Sequence, residues 1–234
     1  MRRLLLLVLL CTTFLPTLSA RSSTAAPEAS APVLPEGALN ATILALIEEY
    51  MAAPSPPYVW LRGQHTEGVT RPLRWQGALL AQPDPGEGAG VHCSGITFEL
   101  YVRALREVRG ETALSPDALR ALKDAWYIRD DVVQDGLVGA LASRGLGEPV
   151  GFAELLPGDL VQFWRNSGNG HSAVFIEHTR DRSGALRGLV FWSAQRSSEG
   201  LGYRMVSFGQ GVHQLPDEGS LFGVRAASLL PPPG

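Results

Sequence analysis

The chain has 234 residues, 20 Lys and Arg against 23 Asp and Glu, a formal charge of −3, and 45% hydrophobic residues. That length and composition suit one sizeable domain, and the absence of a basic run argues against nucleic acid as a partner. Two cysteines, Cys11 and Cys93, exclude a disulfide-stapled scaffold once Cys11 is assigned to a leader.

Residues 1–25 read as a signal peptide: Arg2-Arg3, an apolar run from Leu4, then small residues at Ser19-Ala20 and Thr24-Ala25-Ala26. Thr12, Thr13 and Pro16 interrupt the apolar run, which argues against a permanent anchor. Its removal takes away Arg2, Arg3 and Arg21 and no acid, so the charge goes from −3 to −6. The protein is therefore expected to be exported, periplasmic or secreted, without stable membrane insertion after cleavage. Residues 26–37 have linker composition, residues 38–230 form the expected domain, and residues 231–234 form a disordered tail. Asn40-Ala41-Thr42 fits the glycosylation sequon.

Leu39, Ile43, Leu46, Ile47 and Tyr50 recur at helical spacing over 38–51, and Pro54-Ser55-Pro56-Pro57 ends that helix. Tyr58-Val59-Trp60 is a short apolar segment. Gly63 to Gly90, dense in turn formers, reads as a long surface loop overhanging a site. A helix follows over Ser94 to Val108, stopped by Gly110. Another starts at Ser115-Pro116-Asp117, and a third runs from about Asp131 to Ser143. After Gly151 the texture changes to strands at Leu160–Trp164, His171–His178, Gly188–Ala194, Tyr203–Ser207 and Leu221–Ala226, without intervening helices. Helices first and an antiparallel sheet second define an α+β domain.

The lone exported thiol is the most telling residue. Cys93 sits where a glycine-rich segment gives way to a helix, and a helix N-terminus favours a thiolate. A cysteine nucleophile needs a base and a group that orients the base. Of His65, His92, His171, His178 and His213, His171 is the strongest candidate. It follows the turn Asn166–Gly170 and opens a strand that can aim it at a packed helix end. Strand alternation places His178 on the other face.

Three ordered segments resemble the NlpC-type cell-wall cysteine peptidases, papain-like hydrolases of peptidoglycan. These are Pro57-Tyr58-Val59-Trp60, Cys93-Ser94-Gly95, and Leu156-Pro157-Gly158-Asp159-Leu160 with the later Gly170-His171-Ser172-Ala173-Val174. The resemblance implies helices packed on a five- or six-stranded antiparallel sheet, Cys93 as nucleophile and His171 as general base. It also implies that Tyr58 lines the site, with Trp60 and Ser94 beside it. The sequence departs from the family pattern at His92, where aspartate is common, and at Leu61-Arg62, where glycines are usual. The stretch between Cys93 and Pro157 is also longer than usual. The strand after the His-strand carries no second histidine, leaving Gln195 or Ser193 as the orienting group. Gln195 is favoured for its reach.

The expected activity is hydrolysis of amide bonds in peptidoglycan stem peptides, as an endopeptidase or an amidase. A non-catalytic wall-binding domain and a secreted amidase toxin are the alternatives. A monomer without metal or cofactor is expected, because the Cys and His residues lack zinc-type spacing and no phosphate-binding glycine loop is present.

Overall fold

The computed structural model describes residues 38–61, 65–127 and 134–227. The expected leader, linker and tail lie outside these residues, as does the start of the helix expected from Asp131. The described elements are α1 (Asn40–Ala52), β1 (Leu73–Trp75), β2 (Ala78–Ala81), α2 (Cys93–Arg109), α3 (Pro116–Trp126) and α4 (Leu137–Ala142). They are followed by β3 (Gly147–Val150), β4 (Leu160–Trp164), β5 (Gly170–Arg180), β6 (Leu186–Gln195), β7 (Gly200–Ser207) and β8 (Leu221–Ala226). The fold is α+β, with helices and one six-stranded antiparallel sheet in the order β3-β8-β4-β5-β6-β7. Among the described residues no helix is long and apolar enough to cross a membrane.

Strands β4 to β7 form a meander, and β8 returns to pair with β4 on its free side. The sheet separates two apolar clusters. Leu160, Val174, Trp192 and Ala194 join the helices and the β1–β2 hairpin in one. Val161, Phe163, Ala173, Phe175 and Phe191 form the other, closed by Phe152 and Leu215. Helix α2 runs through the first cluster, buried along most of its length. Ser115 caps α3 by accepting from the Ala118 N–H at 3.1 Å, as the Ser-Pro-Asp start requires.

The structure departs from the sequence reading, or adds to it, in four places. The 63–90 stretch is no overhanging surface loop, because it holds the β1–β2 hairpin. Gln76 and Gly77, with φ of 48° and 79°, form its two-residue turn. Trp75 is fully buried and donates Nε1–H to the Leu114 carbonyl at 2.8 Å. Strand β3, unread in the sequence, contains Pro149 and occupies a sheet edge, where proline is tolerated. His178 does not lie on the face opposite His171. A bulge between Phe175 and Glu177 resets the alternation, and the His178 ring packs on Phe175 and Phe152. Asn40 is no glycan acceptor in this fold, since it is buried and its amide donates to Pro157 O and Asp159 Oδ1.

Candidate active site

Cys93 is the first residue of α2, and its preceding N-cap is His92. Imidazole is not a usual cap, yet here Nδ1 accepts from the Gly95 N–H at 3.2 Å while Nε2 meets the Thr66 carbonyl at 3.0 Å. Those bonds fix one tautomer, Nε2–H donating and Nδ1 accepting. Burial holds the His92 pKa below its ordinary value, so the cap stays neutral. The Ile96 N–H goes to the His92 carbonyl. The N–H groups of Cys93 and Ser94 remain among the donors that a helix start leaves without an intrahelical partner.

The segment that receives His92 is itself locked. Glu67 and Gly68 N–H donate to Asp84 Oδ2 at 2.8 and 2.9 Å, Lys123 Nζ pairs with Glu67 at 2.9 Å, and the Tyr127 hydroxyl donates to Glu67 O. Buried Glu99 accepts from Tyr50 Oη, Thr70 N and Thr70 Oγ1, each at 2.6 Å, tying α2 to α1 and to this segment. Gly68 has φ +61°, and a Cβ there would lie 2.2 Å from the His92 ring. Gly68→Ala is therefore expected to cost about 2–4 kcal/mol, through backbone strain and displacement of the cap. Urea unfolding beside wild type measures it, with a loss under about 1 kcal/mol contradicting the lock.

Tyr58 bridges Val91, with the Val59 N–H donating to Val91 O at 3.0 Å and the Val91 N–H to Pro57 O at 2.9 Å. Two residues later comes the thiol, so this short bridge sets Tyr58 beside Cys93. Burial first, then the Cys93 sulfur, hold the Tyr58 phenol above its ordinary pKa range, while Arg196 and Arg165 oppose them. Trp60 meets the His92 ring edge-on at 5.1 Å and is half exposed.

A cavity of about 1070 Å³ brings the sequence-derived residues together: Tyr58, Trp60, Cys93, Ser94, His171 and Gln195 all line it. They reach it from different sides. Ser94 belongs to the α2 side, where its Oγ lies 3.4 Å from Ser172 Oγ, which in turn donates to Gln162 Oε1 at 2.7 Å. His171 pairs with Phe163 across β4–β5, and its ring packs between Phe163 and Phe191 at 5.4 Å from each, on the opposite sheet face. Cys93, half-buried, has its sulfur 4.0 Å from Ser94 Oγ, and no hydrogen bond joins it to the imidazole.

The β5–β6 ladder begins at Val174↔Trp192, and beyond its end His171 and Gln195 both line the cavity. No hydrogen bond connects the two side chains, and the Nε2 atoms of both are buried without partners. Ser193 is fully buried and donates its hydroxyl to Ser172 O at 2.7 Å, a bond that ties β6 to β5 beside the site.

The sequence reading missed Arg165. It follows β4, stacks over the Phe163 ring at 5.0 Å, and lines the same cavity. Its charge acts on Cys93, Tyr58 and His171 alike. Its place between strand β4 and the turn before His171 is the only signal the sequence offers. Burial, then Arg165, push the His171 pKa down to about 3. In the unfolded chain an ordinary histidine takes up its proton near pH 6.5. Between those values the unfolded chain binds a proton that the fold refuses, so stability is lost as the pH falls from about 6.5 toward 3 and is intact above. Urea unfolding at pH 7 and pH 4.5 should show wild type losing about 2–3 kcal/mol more than His171→Gln over that interval. Equal losses would refute the buried neutral imidazole.

Among the described residues no group of three His, Cys, Asp or Glu side chains is placed to hold a metal ion. No protein-family model matches the chain, and no curated protein or solved structure matches it at a significant level.

Proposed function

We propose that this chain is an exported cysteine hydrolase of the NlpC type, acting on amide bonds of peptidoglycan stem peptides. The observation that carries the reading is the joint placement of Cys93, at an open helix start, and His171 on the walls of one solvent-reaching cavity. The order of helices and antiparallel sheet supports it, as does Tyr58 held beside the thiol.

In the proposed reaction Cys93 Sγ adds to an amide carbonyl while His171 takes the thiol proton. The Cys93 N–H steadies the oxyanion, with Tyr58 and Ser94 flanking it. His171 then returns the proton to the leaving amine, and water hydrolyses the thioester. Side-chain motion that closes the gap between Sγ and the imidazole belongs to substrate binding. A D-glutamyl-to-diamino-acid endopeptidase is the leading form, and an amidase that releases the peptide from the sugar is the near variant.

Mass spectrometry of defined muropeptides after incubation tests this. One water added per cut, a new amine at one position, and loss of cutting after thiol alkylation are expected. Intact muropeptides, or cutting that survives complete alkylation of Cys93, would overturn it. One observation favours a second reading, a wall-binding domain on the same fold: His171 Nε2 is buried without a partner. Retention on insoluble peptidoglycan without any cutting would select that reading.

A further inference from the structure

The cavity around Cys93 is basic in a chain that is acidic. Arg165, Arg196, Arg204 and His213 stand on its walls, and among the described residues no Asp or Glu does. The chain as a whole carries three more acids than bases.

Elsewhere Arg74, Arg144 and Arg180 meet only neutral acceptors, while Arg71, Arg103, Arg106, Arg120, Arg187 and Arg225 each reach a carboxylate. The three cavity arginines do not. Arg165 rests on an aromatic ring. Arg204 donates to neutral acceptors, Ser197 Oγ at 3.2 Å, Tyr203 O at 2.9 Å, and Ser197 O. Arg196 is exposed on the turn that follows Gln195, and among the described residues its side chain makes no hydrogen bond or ion pair. Arg204 sits on β7 across from Phe191, and Phe191 packs on His171, so Arg196 and Arg204 share the wall next to the imidazole.

Uncompensated guanidiniums around one concavity repel each other, and low-dielectric walls concentrate their field there. An anion relieves both, and the guanidinium fork matches a carboxylate in two parallel hydrogen bonds. A free ammonium finds no counter-charge on these walls.

We propose that the substrate carries a free carboxylate beside the scissile amide, bound by Arg196 and Arg204. The site thereby selects acidic peptides over amidated ones. This names the substrate chemistry of the hydrolase proposed above and rests on that reading for its catalytic meaning. The anion preference itself is a binding property.

The test uses Cys93→Ala protein, which cannot turn over, titrated by calorimetry with two synthetic peptides identical except for a carboxylate or a carboxamide next to the target amide. The carboxamide should bind at least about ten-fold more weakly. Added salt should weaken the carboxylate peptide selectively. Arg196→Gln, whose side chain holds no other group in place, should lose about three-fold for the carboxylate peptide alone, and adding Arg204→Gln should remove most of the remaining discrimination. Circular dichroism confirms that each variant is folded. Equal affinities for the two peptides, undiminished discrimination in the double variant, or no binding of either peptide overturns the proposal. Wild-type turnover of the same pair separates the two readings. Equal cutting of both peptides removes the anion preference and leaves the hydrolase, whereas a binding preference without any cutting leaves the anion site and removes the hydrolase.

Discussion

Cys93→Ala should reduce muropeptide amide hydrolysis by at least about 10⁴-fold, and His171→Asn by about 10²–10⁴-fold, with the double variant no worse than Cys93→Ala alone. The non-additivity follows from the chemistry. Without sulfur no acyl intermediate forms, and a base with no thiol to deprotonate contributes nothing. Both variants should fold, because Cys93 is half-buried at a helix start fixed by His92, and Asn fills much of the imidazole volume between Phe163 and Phe191. The pH profile carries a second readout. A general base works when neutral, and burial beside Arg165 lowers the His171 pKa to about 3. The acid limb of wild-type kcat/KM should therefore lie well below the pH 6.5 of an ordinary histidine. Arg165→Gln removes one of the two causes and should move that limb upward. Hydrolysis that persists in Cys93→Ala, or an acid limb unmoved in Arg165→Gln, would contradict the assigned roles.

The sequence carried the elements whose local chemistry agrees with their final surroundings. Helix α1 shows its buried face in Leu39, Ile43, Leu46, Ile47 and Tyr50, and α3 announces its start at Ser115-Pro116. Strands β4 to β8 are bounded by turn formers and fall where alternation and β-branched residues place them. What escaped depends on distant partners. The β1–β2 turn uses Gln76-Gly77 instead of the more usual Asn-Gly, and Trp75 is held in the core by distant groups, Arg106 of α2 over its ring and the Leu114 carbonyl on its Nε1–H. The bulge after Phe175 inverted the face of His178, since an alternation rule has no means to count an inserted residue.

The site divides in the same way. Cys93 and His171 were legible because a thiol at a helix start and a histidine opening a strand are local patterns. Which sheet face each approaches was not, and the structure brings them to one cavity from opposite faces. Arg165, Arg196 and Arg204 come from the turn after β4, the turn after β6, and β7, so their convergence exists only in three dimensions. The capping role of His92 was not legible, because imidazole is outside the Ser, Thr, Asp and Asn signature of caps. Its role depends on Thr66, which lies 26 residues earlier in the chain.

The largest stability effect should come from Asp159, in the Pro157-Gly158-Asp159 turn that leads into β4. Its carboxylate is fully buried and joins three parts of the chain. Oδ1 accepts from Asn40 Nδ2 at 2.8 Å and from Arg225 Nε at 3.1 Å, and Oδ2 accepts from the Leu156 N–H at 2.8 Å and from an Arg225 Nη at 2.9 Å. The start of α1, the turn before β4 and strand β8 thus share one anion. Asp159→Ala strands a guanidinium whose side chain is only 15% exposed, and such a break costs about 3–5 kcal/mol. Against the roughly 5–15 kcal/mol that holds a domain folded, that is a large share. Adding Arg225→Leu to Asp159→Ala should recover part of the loss, because the unpaired charge leaves with it. Urea unfolding of the two single variants and the double gives the coupling directly. Strand β4 carries Gln162 and leads to Arg165, both in the cavity wall, yet Asp159 itself touches no cavity residue named above. Lost hydrolysis in Asp159→Ala should therefore track the unfolded fraction, with the rate per folded molecule unchanged. A loss under about 1 kcal/mol in Asp159→Ala would show that the turn is held by packing instead of by this anion.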